Sequence, residues 1–206
     1  FRRVLFRSWI RRFTKAGIWI AKKNAKSPTL AATGVYIFGW DGELGNHCYS
    51  MARDGKQALI AHMHAINMIK FSPELAKECK IKMTDFSIRH LPTNSTYELI
   101  HAGNSLSTEG FNGSILIDEI HVVEQKDVDR VERAGASRRE PLQVEMSTAG
   151  NNADGYGYNR YLYGKRIYEM PTPADYTPNF LFIDFSINQE VKIEKLRDEA
   201  YVLQIA

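Results

Sequence analysis

The stretch Ser114-Ile-Leu-Ile-Asp-Glu-Ile-His121 constrains this chain most. Its apolar run, Ser114 to Ile117, is too short for a helix and fits a strand buried in a parallel sheet. The run ends in two adjacent carboxylates, Asp118 and Glu119. Open α/β sheets bind ligands outside the carboxyl ends of their strands, so the acids stand where chemistry is usually done. Taken alone, the octapeptide is equally compatible with a core strand that ends in solvated acids. A phosphate loop upstream and a polar strand end downstream would separate the two readings.

The rest of the chain offers that strand a sheet. Residues 17–21 read as a first buried strand, running into Lys22-Lys-Asn-Ala-Lys-Ser27 and then an apolar, Ala-rich helix over 30–38. A turn at 41–45 precedes a second strand over 47–52. Asp54 is placed to cap a long helix reaching about Phe71. Ser72 and Pro73 carry the cap and first-turn signals of a short helix. Residues 81–102 change character, and their short runs at 87–91 and 97–102 predict antiparallel strands decorating the main sheet. A Gly-rich loop over 103–113 leads into the central strand. After it come a charged surface helix over 127–139 and a strand over 142–147. A helix over 158–168, a Pro-rich linker over 171–178, a strand over 180–186 and a last helical piece follow. This order predicts an α/β fold: a mainly parallel sheet with helices on both faces and a small antiparallel insertion near 81–102.

Composition sets bounds. A chain of 206 residues, 44% of them hydrophobic, suits one domain with a sizeable core. No apolar run approaches the ~20 residues of a membrane span. Cys48 and Cys79 form no CxxC pair, and a reducing cytosol fits. The formal charge of +3 invites a nucleic-acid reading, but its source matters. Residues 1–8 match the translation of a common sequencing adapter and are expected to be an assembly scar outside the fold. They carry Arg2, Arg3 and Arg7 and no acid, and without them the 24 acidic residues equal the basic ones. Charge alone then gives no case for DNA binding.

The phosphate loop has the pattern G-x-x-x-x-G-K-[ST] between a strand and a helix. Lys26-Ser27 fills its last two positions in that context, while Ile20 and Ala25 stand where glycines belong. By pattern alone, a basic surface turn is the stronger reading. An apolar strand ending in Asp-Glu is the matching Walker B pattern of P-loop ATPases.

Taken together, the motifs resemble those of phage terminase large subunits, the ATP-driven DNA-packaging motors. Lys22-Lys-Asn-Ala-Lys-Ser27 is similar to that family's R-K-N-[GA]-K-S loop, which dispenses with the first glycine. Ser50-Met-Ala52 with Asp54 and Gln57 resembles its second strand and following helix. Gly110-Phe-Asn-Gly-Ser-Ile-Leu-Ile-Asp-Glu-Ile-His121 resembles its Walker B segment. Ala136-Ser-Arg-Arg-Glu-Pro141, followed by Ser147-Thr-Ala-Gly150, resembles its basic turn and coupling motif.

The resemblance implies an ATPase core over 9–150 and a linker or lid over 151–206, with the family's nuclease domain absent. ATP and Mg²⁺ are the implied cofactors. Lys22, Lys23, Asn24, Ala25, Lys26 and Ser27 would bind nucleotide, Lys26 reaching the β/γ-phosphates. Ser27 and Asp118 would hold the metal, and Glu119 would orient the lytic water. Ser147, Thr148, Ala149 and Gly150 would couple γ-phosphate loss to movement. Arg138 and Arg139 are candidates for a stabilising arginine at a neighbouring subunit's site, or a solvated helix end. The implied partners are double-stranded viral DNA, a portal, a small terminase subunit and further copies in a ring, in the host cytoplasm and with no membrane.

Two departures weaken the match. Lys22 replaces an arginine, losing bidentate phosphate contact. Pro28 lacks the N–H that the residue after the P-loop Ser/Thr normally gives to phosphate. The six histidines, His47, His62, His64, His90, His101 and His121, show no metal spacing. His121 reads first as a capping residue, with a sensor-loop contact as the alternative. The tyrosines over 156–168 read as a packed lid helix, with base stacking as the alternative. Two rival functions remain: a helicase-like motor, and a degenerate nucleotide- or DNA-binding assembly module without hydrolysis.

Overall fold

The computed structural model describes residues 2–5, 8–101, 112–135, 138–148, 150, 154–169 and 179–185. It opens with an antiparallel hairpin, β1 (Arg2–Leu5) and β2 (Ser8–Arg11). β3 (Lys15–Trp19) leads through residues 20–25 to α1 (Lys26–Gly39). β4 (His47–Ala52), α2 (Gly55–Phe71) and α3 (Pro73–Glu78) follow, then β5 (Cys79–Lys82), β6 (Ser87–His90) and β7 (Ser95–His101). β8 (Gly113–Ile117) runs into a 3-10 turn, Ile120–Val122, and then α4 (Gln125–Gly135). β9 (Gln143–Ser147), α5 (Tyr156–Glu169) and β10 (Phe180–Asp184) complete the described elements.

Eight strands form one sheet in the order β10-β3-β9-β8-β4-β7-β6-β5. The six from β10 to β7 are parallel, while β6 and β5 add to the edge antiparallel. The antiparallel insertion is therefore smaller than expected. β7 runs parallel to β4 and belongs to the main sheet rather than decorating it. Its burial gives the reason: Tyr97 packs into the core on one face and Ile100 into the core on the other. A strand covered on both faces sits inside an α/β sheet.

β8 shows the same alternation. Leu116 faces a core built from α1 and α2 (Leu30, Val35, Phe38, Ile66, Ile69), and Ile115 and Ile117 face one that includes Val128, Val131 and Phe182. α1 lies so close to the sheet that a Cβ on Gly34 would stand 2.5 Å from both Leu116 Cδ1 and Tyr97 Oη. Only a residue without that atom allows the approach.

Several expected boundaries shift. β3 begins at Lys15, two residues early, and releases Ile20 and Ala21 to the loop before α1. The charged helix is described over Gln125–Gly135, and Arg138 and Arg139 are not helical. The strand expected over 180–186, within the linker segment, is the edge strand of the main sheet and pairs with β3. Asp54 caps α2 as expected, its carboxylate accepting from the Lys56 N–H at 2.8 Å. The 171–178 linker, the last helical piece, most of the 103–113 loop, and Ala136, Ser137 and Ala149 lie outside the described residues.

His62 is fully buried between α2 and the sheet. Its Nε2 lies 2.7 Å from the Phe86 carbonyl, which can only accept, so Nε2 carries the proton. Burial lowers its pKa from 6.5 to about 4, against the raising effect of that bond. The unfolded chain then binds a proton that the folded chain refuses. Stability is full above pH ~6.5 and falls as pH drops toward ~4, by on the order of 3 kcal/mol. Gln at this position keeps an N–H for Phe86. Urea denaturation of His62→Gln across that window is expected to lack this component of the acid destabilisation.

Candidate functional site

Because β3, β9 and β8 are parallel, their carboxyl ends open on one edge of the sheet. Trp19 lies level with Ser147, and Ile117 level with Glu145. The loop leaving β3 therefore emerges beside the end of β9, and the acids leaving β8 stand on its other side. The Ile20 N–H donates to the Ser147 carbonyl at 3.0 Å and fixes this alignment.

The loop over 20–25 is tightly wound. Lys23 and Ala25 both have positive φ, 67° and 53°. The Asn24 amide donates to the carbonyls of Ala21 and Lys22 at 3.2 and 3.3 Å. Ala25 stands at the N-cap of α1 with no side-chain cap, in the left-handed conformation where glycine is ordinarily used. Lys22 to Ala25 are exposed.

Lys26 and Ser27 form the first turn of α1 and reach across to β8. Lys26 Nζ pairs with Glu119 Oε1 and lies 3.8 Å from Asp118 Oδ1. Ser27 Oγ donates to Asp118 Oδ2 at 2.6 Å, and the Glu119 N–H donates to Asp118 Oδ1 at 3.0 Å. The Lys26 and Asp118 side chains are only 9% and 8% exposed. Four residues that lie some ninety positions apart in sequence thus form one ionic cluster. A hydroxyl touching a carboxylate is the oxygen donor pair that a hard divalent cation takes when phosphates and water fill its remaining positions.

Glu119 has a φ of 54°, another left-handed residue without glycine's freedom. Among the described residues its Oε2 has no aligned hydrogen-bond partner, although His121 Nδ1 lies 3.1 Å away. His121 Nδ1 also lies 3.0 Å from Ser147 Oγ, which in turn donates to the Thr148 carbonyl at 2.9 Å. Burial holds the His121 pKa below its ordinary value, aided by Lys26 and Lys22 and opposed by Glu119. Sequence reasoning preferred a capping role for His121, whereas the described contact is with Ser147, at the end of β9. Only its place directly after the acid pair hinted at this. Thr148 is buried, and its Oγ1 has no hydrogen-bond partner among the described residues.

Arg138 is not brought here. Its guanidinium donates to the carbonyls of Asn112, Leu44 and Gly45, beside the amino ends of β8 and β4 and at the opposite edge of the sheet. Arg139, next to it, is exposed. Below the site, Glu145 of β9 is fully buried and holds α5 in place. It accepts from Arg160 Nε and Nη2 at 2.9 and 3.0 Å and from Tyr156 Oη at 2.8 Å. Arg160 also lies over the Phe180 and Tyr156 rings.

A mostly parallel α/β sheet with this helix start facing an acid pair defines a protein of the P-loop type. A family model for the ATPase domain of the terminase large subunit matches residues 2–166, and the chain belongs to that family. Among solved structures, the large terminase of bacteriophage HK97 superposes with a TM-score of 0.73 at 21% identity, over 90% of this chain and 38% of that one. The ATPase domain of the Thermus phage P74-26 large terminase gives a TM-score of 0.60 at 14% identity, over 84% and 76% of the two chains. A large terminase from a thermophilic bacteriophage, solved in complex with ADP, gives 0.61 at 10% identity, over 85% and 40%. This chain thus spans well under half the length of the HK97 protein. No curated protein sequence matches it.

The left-handed Ala25 has a testable cost. An L-residue there is disfavoured by roughly 1–2 kcal/mol, of which glycine's greater unfolded-state freedom returns about 0.4–1. Ala25→Gly is therefore expected to raise unfolding stability by about 0.5 kcal/mol, read from the denaturation midpoint at constant m-value.

Proposed function

We propose that this chain is the ATP-hydrolysing part of a viral DNA-packaging motor. The observation that supports it best is the meeting of Lys26 and Ser27, at the start of α1, with Asp118 and Glu119, at the end of β8. The family relationship and the ADP complex of a relative support nucleotide as the ligand. Helix starts present N–H groups and a positive dipole end to phosphate. Lys23, Asn24 and Ala25 line that start, and Lys22 adds charge beside it.

Phosphoryl transfer asks the protein mainly for positioning and charge stabilisation. Lys26 exchanges Glu119 for the β- and γ-phosphate oxygens, which frees the glutamate. Glu119 then orients a water and takes its proton as the water oxygen bonds to the γ-phosphorus. The bond to the β–γ bridging oxygen breaks, giving ADP and phosphate. Ser27 and Asp118 would hold Mg²⁺, the serine directly and the aspartate through water. When bound, the ion neutralises charge on the phosphate oxygens. Ser147 and Thr148 would register the γ-phosphate, and the movement of Ala149 and Gly150 would follow. Of the two arginines, the exposed Arg139 is the better candidate to reach a neighbouring subunit, since Arg138 is occupied by three carbonyls.

In this reading the full-length protein acts on double-stranded viral DNA in the host cytoplasm, as a homo-oligomeric ring on a portal with a small terminase subunit. Ala25 and Pro28 favour a second reading, an assembly module that binds nucleotide without hydrolysing it, because both loosen the phosphate loop. One variant separates them. Glu119→Gln keeps Lys26, Ser27 and Asp118, so its ATP affinity should match the wild type while steady-state turnover falls by on the order of 10²–10⁴-fold. Unchanged turnover would remove Glu119 from this role, and a wild type that binds ATP without turnover would leave the second reading.

Pro28 gives an independent check. A hydrogen bond to a charged group contributes about 1.5–3 kcal/mol, and competition from water reduces that. Restoring the N–H with Pro28→Thr should tighten ATP binding by roughly 1 kcal/mol, about fivefold, in calorimetric titration.

A further inference from the structure

His121 stands between the two halves of the site. Its Nδ1 is 3.0 Å from Ser147 Oγ and 3.1 Å from Glu119 Oε2. The tautomer follows from what surrounds it. Ser147 has one hydroxyl proton and gives it to the Thr148 carbonyl, so toward His121 its oxygen can only accept. A bare Nδ1 lone pair would also face a carboxylate oxygen across 3.1 Å, lone pair against lone pair. Both neighbours therefore require the proton on Nδ1.

That single N–H has two acceptors in reach. It is aligned with Ser147, while Glu119 Oε2 lies beside it with no aligned donor of its own. Oε1 of the same carboxylate is held by Lys26. The backbone on either side packs closely against the base of the residue. A Cβ on Gly150 would stand 2.7 Å from His121 Cβ, and one on Gly157 would stand 2.7 Å from His121 Cα. These two glycines close on the base of the residue, and the ring above it can change partner by a small rotation.

We propose that His121 is a positioning residue that hands its Nδ1 proton from Ser147 to Glu119, orienting the carboxylate when Ser147 turns toward the γ-phosphate. Lys26 leaves Glu119 when it takes up phosphate, and without His121 the carboxylate would then have no side-chain donor among the described contacts. The same exchange ties β9 to β8, so the state of the strand end is read by the group that activates water. The inference rests on the ATPase reading above and adds a residue that this reading does not need.

Two substitutions and one spectrum test it. The amide N–H of Asn can stand where the Nδ1–H stands, and Leu fills the space without a donor. In His121→Leu, kcat should fall by on the order of 10–100-fold with ATP affinity unchanged, the scale of a misplaced catalytic group. His121→Asn should recover most of that loss. In the wild type, ¹⁵N spectra of the imidazole should show the Nδ1–H tautomer, a readout independent of turnover and of how the variants fold. The proposal is overturned if Leu and Asn behave alike, if affinity falls in step with kcat, or if the proton sits on Nε2. A wild type that binds ATP without turnover has lost the ATPase reading itself, and a Glu119→Gln variant with unchanged turnover has lost the role of Glu119; a protein in which only the His121 variants fail to respond has lost this inference alone.

Discussion

An ammonium group that is 9% exposed needs an anion, and the site is arranged around that need. Lys26 lies at the head of α1, which follows β3, and its counter-charges lie on the end of β8, with β9 between those two strands. Removing one partner of so buried a pair typically costs about 3–5 kcal/mol, because the other charge is left uncompensated. The start of α1 is thus tied to the end of β8 by contacts that are costly to break singly, in addition to the apolar contacts behind them. Gly34 brings the helix down onto Leu116 and Tyr97, and the ionic cluster completes the docking at its head.

The order of strands places β9 beside that cluster. β9 separates the strand that leads to the lysine from the strand that carries the acids. Its end holds Ser147, which touches the loop side through the Ile20 N–H and the acid side through His121. Its middle holds Glu145, buried and bonded to Arg160 and Tyr156 of α5. Such a carboxylate is tolerable because its oxygens accept several bonds, two of them from a guanidinium. One strand therefore connects the site at its tip to a helix on its flank.

Much of this could be read from the residues. Lys26-Ser27 and Asp118-Glu119 are each ambiguous by pattern alone and stand out only as a set, in an order and spacing that resembles one family's motifs. Asp54 and Ser72 were legible as caps because capping is local. What escaped was long-range. Nothing in the run over 95–101 says that its neighbour is β4 and parallel, since apolar spacing describes faces and not partners. Nothing in the 180–184 run says that it returns to the edge beside β3. Arg138 reads as an arginine for a neighbouring subunit's site or as a solvated helix end, and its bonds to carbonyls at the amino ends of β4 and β8 are fixed by tertiary geometry that the sequence does not display. His121 was undervalued for the same reason, because its partner lies in another strand.

The position of β10 has a mechanical side. Five consecutive residues, Phe180 to Asp184, lie in parallel register against Lys15 to Trp19, and the Phe185 N–H adds a bond to the Trp19 carbonyl. Tension applied to the chain along this strand does not peel its hydrogen bonds one after another. It loads them together, in shear, and Phe180 and Phe182 hold the strand from one face. The strand that takes such a load is paired directly with the one that delivers Lys26, so a pull on β10 reaches the head of α1 through a single strand.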